Sequence, residues 1–227
     1  RSLGIPVIVT DHHLPGDTLP AAEAIINPNL RDCNFPSKSL AGVGVAFYLM
    51  LALRTFLRDQ GWFDERGIAI PNLAELLDLV ALGTVADVVP LDANNRILTW
   101  QGMSRIRAGK CRPGIKALLE VANRDPQKLA ASDLGFALGP RLNAAGRLDD
   151  MSVGVALLLC DNIGEARVLA NELDALNQTR KEIEQGMQVE ALTLCEKLER
   201  SRDTLPGGLA MYHPEWHQGV VGILASR

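Results

Sequence analysis

Four apolar or β-branched residues, Val7-Ile8-Val9-Thr10, are followed directly by Asp11-His12-His13. A run of this kind after Gly4-Ile5-Pro6 predicts a buried parallel strand, with its polar triplet at the carboxyl end. Ligands in open α/β sheets sit at that edge. An imidazole beside a carboxylate offers borderline donors for Mn²⁺, Zn²⁺ or Fe²⁺, and the carboxylate can fix the tautomer of the ligating ring. Only His213 and His217 complete the histidine set, so the triplet is the first place to look for chemistry. A polar turn holding no metal is the alternative.

The chain has 227 residues, of which 47% are hydrophobic. It can therefore bury one sizeable core or two small ones. No run of about 18 apolar residues is present, which predicts no membrane span, and with no signal-like segment cytoplasmic residence is the default expectation. Cys33, Cys111, Cys160 and Cys195 contain no Cys-x-x-Cys pair, so reduced structural thiols are expected rather than a disulfide framework or a zinc ribbon. The net charge of −4 argues against a uniformly basic surface. From Ala93 to Leu119, however, the chain has no acid and six cations, Arg96, Arg105, Arg107, Lys110, Arg112 and Lys116. That segment is either a solvated face or a track for phosphates.

Helical spacing predicts helices from Ala41 to Leu57, from Pro71 to Gly83, from Asn94 to Arg107 and from Pro113 to Ala122. Asp17–Ser39, rich in Pro, Asn and Asp, reads as a long ordered loop with Asn27-Pro28-Asn29 starting a turn. Gly42 and Gly44 read as packing glycines, with phosphate contact as the alternative. Ser132-Asp133 reads as a helix cap. From Gly164 to about Arg200 apolar residues recur at helix-like intervals with no proline, which predicts a helix on the order of 50 Å long. It reads as a connector rather than a coiled-coil arm, because its heptad drifts. Asp203–Gly208 then reads as a break, Leu209–Tyr212 as a strand, and Gly219–Ala225 as a helix start cut off at Arg227.

Asp11-His12-His13 after its strand resembles the signature of the DHH phosphoesterase superfamily. Leu82–Leu91, Leu138–Leu148 and His217–Ile223 are similar to further motifs of the RecJ-type single-strand-specific exonucleases, in that family's order and approximate spacing. The resemblance implies an α/β fold: the C-terminal part of a DHH domain over residues 1–162, helix-rich with a parallel sheet, then a connecting helix over 163–202 and the beginning of a DHH-associated domain over 203–227. It further implies a two-metal Mn²⁺ or Mg²⁺ site with His12 and Asp87 as ligands, Asp11 orienting the cluster and His13 facing the scissile phosphate. Arg141, Asn143, Arg147, His217, Ser226 and Arg227 would contact DNA. Arginines salt-bridged to Asp149 or Asp150 are the alternative for Arg141 and Arg147.

The activity so implied is hydrolysis of single-stranded DNA from its 5′ end, in repair and recombination. The implied enzyme is a monomer that does not meet membranes and works with a single-strand-binding protein and a helicase. Two earlier acidic motifs of the family are not found in this sequence, so the expectation is an incomplete piece, inactive when isolated. A DHH phosphatase acting on short oligonucleotides, or an inactive repair scaffold of the same fold, are the other readings.

Overall fold

The computed structural model describes residues 3–201 and 208–226. Backbone proximity groups the chain into two compact units, Arg1–Gly139 and Pro140–Arg227. That division falls ahead of the 162/163 boundary read from the sequence.

In the first unit, β1 (Ile8–Thr10) pairs in parallel with β2 (Ala24–Ile26), in the register Ile8 to Ala24, Val9 to Ile25 and Thr10 to Ile26. The ladder runs on at both ends, through Glu23 N–H to Val7 O at 2.9 Å and Asp11 N–H to Ile26 O at 3.0 Å. Two expectations are corrected here. β2 lies inside the segment read as loop, because its three-residue apolar run is hidden among Pro20, Asn27 and Pro28. β1 is not buried, since Ile8 is 63% and Val7 44% exposed. Among the described residues β1 has a strand neighbour on one side only.

Helix α1 (Gly42–Asp59) is followed by the one-turn α2 (Trp62–Glu65). A tight turn at Leu73–Leu76, started by the Asn72 side chain, leads into α3 (Leu77–Ala86). α4 (Ala93–Arg107) is capped by Asp92, whose carboxylate accepts from Asn95 N–H at 2.9 Å, and α5 (Pro113–Val121) starts on its proline as N1 geometry favours. Leu40, Val45, Phe47, Leu73, Val80 and Leu98 form one buried cluster. Ile106, Ile115, Leu118, Leu119, Leu129, Leu134 and Leu138 are also fully buried, and each such side chain contributes roughly 1.5–3 kcal/mol. α1 buries Val45 and Phe47 and leaves Leu53 and Phe56 half exposed or more.

Gly83 does not end its helix, as the sequence suggested. It sits inside α3, where an added Cβ would come 2.7 Å from Val43 Cγ1, so its role is to let α1 approach. Gly102 does the same between α4 and α3. Ala131–Asp133 forms the short α6, with the Asp133 carboxylate accepting from Ala130 N–H at 2.8 Å. A π-turn, Leu134–Leu138, continues into α7 (Gly139–Leu148).

The second unit contains α8 (Ser152–Leu159), α9 (Ile163–Ser201) and α10 (Val221–Leu224). α9 is one unbroken helix of 39 residues. Its buried positions are Ala166, Ala170, Leu173, Asn177, Glu184, Met187 and Ala191, with Arg180 only 12% exposed. These alternate four and three residues apart, a regular heptad spacing rather than a drifting one. Three successive polar positions mask the pattern in the sequence. Arg180 donates to Glu184 Oε2 at 2.6 Å and to Asn177 Oδ1 at 3.2 Å. Leu209–Tyr212 is not a strand; it pairs with no other strand among the described residues. The break expected at 203–207 lies outside the described residues.

Gly102→Ala should lower stability by about 1–3 kcal/mol, although alanine is the better helix former. The new Cβ would collide with the Leu77 carbonyl oxygen and stand 2.5 Å from Ala81 Cβ. Denaturant unfolding of the variant checks this.

Candidate active site

Parallel pairing delivers Asp11, His12 and His13 to the carboxyl edge of β1, and local hydrogen bonds fix them there. Asp11 Oδ1 accepts from His12 N–H at 2.7 Å and from His13 N–H at 3.2 Å, and lies 2.7 Å from His13 Nδ1. The bond to the His13 side chain, then those to the backbone amides, holds the Asp11 carboxyl below its ordinary range. From the other side, Asn29 Nδ2 donates to His12 O at 2.6 Å and Asn27 Nδ2 to His13 O at 2.8 Å. Asn27 is 5% exposed and its Oδ1 also accepts from Asn29 N–H at 2.8 Å. The sequence shows Asn27-Pro28-Asn29 only as a turn. Two asparagines, each with a donor to spare beside a metal-type motif, are the signal available there.

Asp87 arrives from elsewhere in the chain. It caps the C-terminus of α3, its N–H bonded to Gly83 O at 3.0 Å. Its Oδ2 stands 3.4 Å from His12 Nε2, with the His12 side chain 17% and the Asp87 side chain 40% exposed. Donors at about 2.0–2.1 Å from one cation lie roughly 3.0 Å apart at octahedral and 3.4 Å at tetrahedral angles. The pair thus fits adjacent ligands of a single metal. No group of three or more His, Cys, Asp or Glu residues able to hold a metal occurs among the described residues. α1 begins against the pair, since a Cβ at Gly42 would meet His12 Cδ2 at 3.5 Å. Immediately after Asp87, Val88 has a φ of 59° and is 86% exposed. A β-branched residue in that region costs of order 1–3 kcal/mol and marks a strained turn.

The other candidate residues lie in the second unit. Arg141 Nε is 2.7 Å from Asp174 Oδ1, and the arginine side chain is only 15% exposed. Its partner is neither Asp149 nor Asp150. Arg147 is exposed and donates to Gly219 O at 3.0 Å. Gly219 packs so closely on Arg147 that a Cβ there would collide with the Arg147 carbonyl oxygen. His217 Nδ1 accepts from Gly219 N–H at 3.1 Å, and His217 O accepts from the N–H groups of Val220 and Val221. The amides of Gly219, Val220 and Val221 at this helix start are therefore engaged, and α10 is a single short turn. Asn143 is exposed, and Ser226 Oγ donates to Ile223 O at 2.8 Å. Arg227 lies outside the described residues. Trp216 Nε1 donates to Glu190 Oε2 at 2.9 Å, which ties the segment after Gly208 to α9.

Much of the basic segment is likewise occupied. Arg96 donates to Leu91 O, Arg107 to Leu129 O and Arg105 to Lys110 O, while Arg112 faces the buried Asp78. Lys110 and Lys116 are exposed.

Residues 1–84 match the DHH family, N-terminal domain, and the parallel strand pair ending in Asp11-His12-His13 is the α/β arrangement expected for it. The resemblance to RecJ-type proteins of the DHH superfamily holds along the whole chain. It is 99% identical over 227 residues to the single-stranded-DNA-specific exonuclease RecJ of Escherichia coli strain K12, covering all of this chain and 39% of the relative. It is 92% identical, with the same coverage, to that of Salmonella typhimurium. A crystal structure of RecJ in complex with Mn²⁺ from Thermus thermophilus superposes with a TM-score of 0.77 at 36% identity, over 99% of this chain and 31% of that one. The chain thus spans about two fifths of the curated relatives' length.

Asn27→Ala should destabilise the fold by about 1 kcal/mol, because it leaves the partly buried His13 carbonyl and Asn29 amide without their partner. Thermal unfolding at neutral pH measures it.

Proposed function

We propose that this chain carries part of the active site of a single-stranded-DNA exonuclease that cleaves phosphodiesters with Mn²⁺ or Mg²⁺. The observation that carries the reading is the meeting of His12 and Asp87, from a strand end and a helix end, at the spacing of neighbouring metal ligands. Divalent cations bound there would neutralise the charge that develops on a phosphodiester during in-line displacement. His12 and Asp87 supply donors to such a site. Asp11 holds His13 by Nδ1, which leaves the Nε2 of that 76% exposed ring available to a phosphate oxygen. Asn27 and Asn29 keep the triplet in place.

Arg147 and Asn143, both exposed, are the better candidates for strand contact in the second unit. Arg141 is chiefly a structural partner of Asp174. The names and whole-chain identity of the relatives support the substrate class. From the same kinship we infer action from the 5′ end, a role in repair and recombination, a monomeric state, cytoplasmic residence, and cooperation with a single-strand-binding protein and a helicase. We propose likewise residues 1–162 as DHH domain, 163–202 as connector and 203–227 as the opening of a DHH-associated domain, and contacts to DNA by His217, Ser226 and Arg227. No helix among the described residues is long and apolar enough to cross a membrane.

In a full-length RecJ containing this sequence, Asp87→Ala should abolish Mn²⁺-dependent digestion of single-stranded DNA while its circular dichroism stays unchanged. Normal turnover would remove Asp87 from the mechanism. Arg147→Ala should reduce the slope of log affinity against log salt by roughly 0.7, whereas Arg141→Ala should mainly lower the melting temperature. Equal slopes in the Arg147 variant and the parent would make Arg147 structural.

A further inference from the structure

The π-turn at Leu134–Leu138 buries Leu134, Ala137 and Leu138, yet leaves Phe136 85% exposed. π-turns are uncommon and concentrate at functional sites. This one is seated on the helix end that bears Asp87. A Cβ on Gly135 would come 3.2 Å from Val85 Cγ1, and one on Gly139 would come 3.3 Å from Ala86 Cβ. Val85 is the junction: its carbonyl accepts the Val88 N–H at 3.2 Å and lies 3.7 Å from the Gly135 Cβ position. Two of the most exposed apolar side chains of this unit, Phe136 and Val88, therefore arise one residue beyond and three residues beyond contacts that converge on Val85. Asp87 lies between Val85 and Val88 in the chain. Packing does not account for an exposed phenyl ring here, because its neighbours on the turn already fill the core.

We propose that Phe136 is a stacking platform for an unpaired base of the strand whose phosphate reaches the His12–Asp87 site. The inference rests on the nuclease reading above. A flat apolar ring suits any base, since each presents a π-face, and it has no hydrogen-bonding group with which to read sequence. A base paired in a duplex has its faces covered by its neighbours and is unavailable to the ring, so the contact favours single strands. Glycine at 135 and 139 brings the turn close to the end of α3 that bears Asp87.

The test uses a full-length RecJ containing this sequence, its Phe136→Ala, Phe136→Leu and Phe136→Trp variants, and single-stranded oligonucleotides each with one abasic position. Phe136→Ala should raise KM about 5- to 100-fold with kcat nearly unchanged, Phe136→Leu should recover little, and Phe136→Trp should retain near-parental KM. For one abasic position the parent should lose the same factor, and Phe136→Ala should lose nothing more. Additive losses at every position would overturn the proposal, as would an unchanged KM. A lower melting temperature with no dependence on abasic position would overturn it too, because Phe136 would then be packing against protein. If the parent itself leaves single-stranded DNA intact in Mn²⁺, the nuclease reading fails first and takes this inference with it. Failure confined to the variants refutes the platform alone.

Discussion

The hydrogen bonds that anchor the end of β1 are what the candidate site depends on. A three-residue strand is a weak element by itself, and this one is largely exposed on one face. What orders its last residues is a clasp of short polar contacts: Asp11 Oδ1 on the two following amides, and Asn27 and Asn29 on the carbonyls of His13 and His12. Each bond is worth on the order of 1 kcal/mol net. Together they leave the His12 ring little freedom, and a ligand held within a few tenths of an ångström is worth more to a metal than one that must be ordered on binding.

The opposite side of the site depends on helix packing. Asp87 is placed by α3, whose position is set by the close approach of α1 at Gly83 and of α4 at Gly102. The chain then turns at the strained Val88, whose φ is 59°. Rigid helices deliver one donor and a polar clasp delivers the other, so remote glycines and asparagines bear on chemistry they do not touch. In the second unit the long helix has a different organisation. A strict heptad stripe includes Asn177, Arg180 and Glu184, which satisfy one another in part and so make burial of polar groups tolerable.

Strong local signals are legible in the sequence. α4, α5 and α9 lie where the pattern puts them, α4 behind its Asp92 cap and α5 with Pro113 at its first position. The triplet and Asp87 can be named because their motifs resemble a family, although no local pattern requires a strand end and a helix end 76 positions apart to meet. What stays hidden is set by tertiary contacts. β2 is too short to outweigh the prolines around it, and Leu209–Tyr212 has strand-like residues but no strand partner among the described residues. Gly83 reads as a terminator because a glycine's packing role is visible only when its neighbour is known. The heptad in α9 is masked because its middle is polar. The pairing of Arg141 with Asp174, 33 residues away, is likewise a contact that no local pattern shows.

The central claim is that His12 and Asp87 are ligands of one cation. It is tested most directly by titrating Mn²⁺ into full-length RecJ containing this sequence, with ¹⁵N-labelled histidine and the His12 resonances assigned through His12→Gln. Paramagnetic broadening should appear first at His12 Nε2 and be much reduced in Asp87→Asn. A His12 signal that stays sharp while other histidines broaden, or that broadens equally without the Asp87 carboxylate, would contradict it.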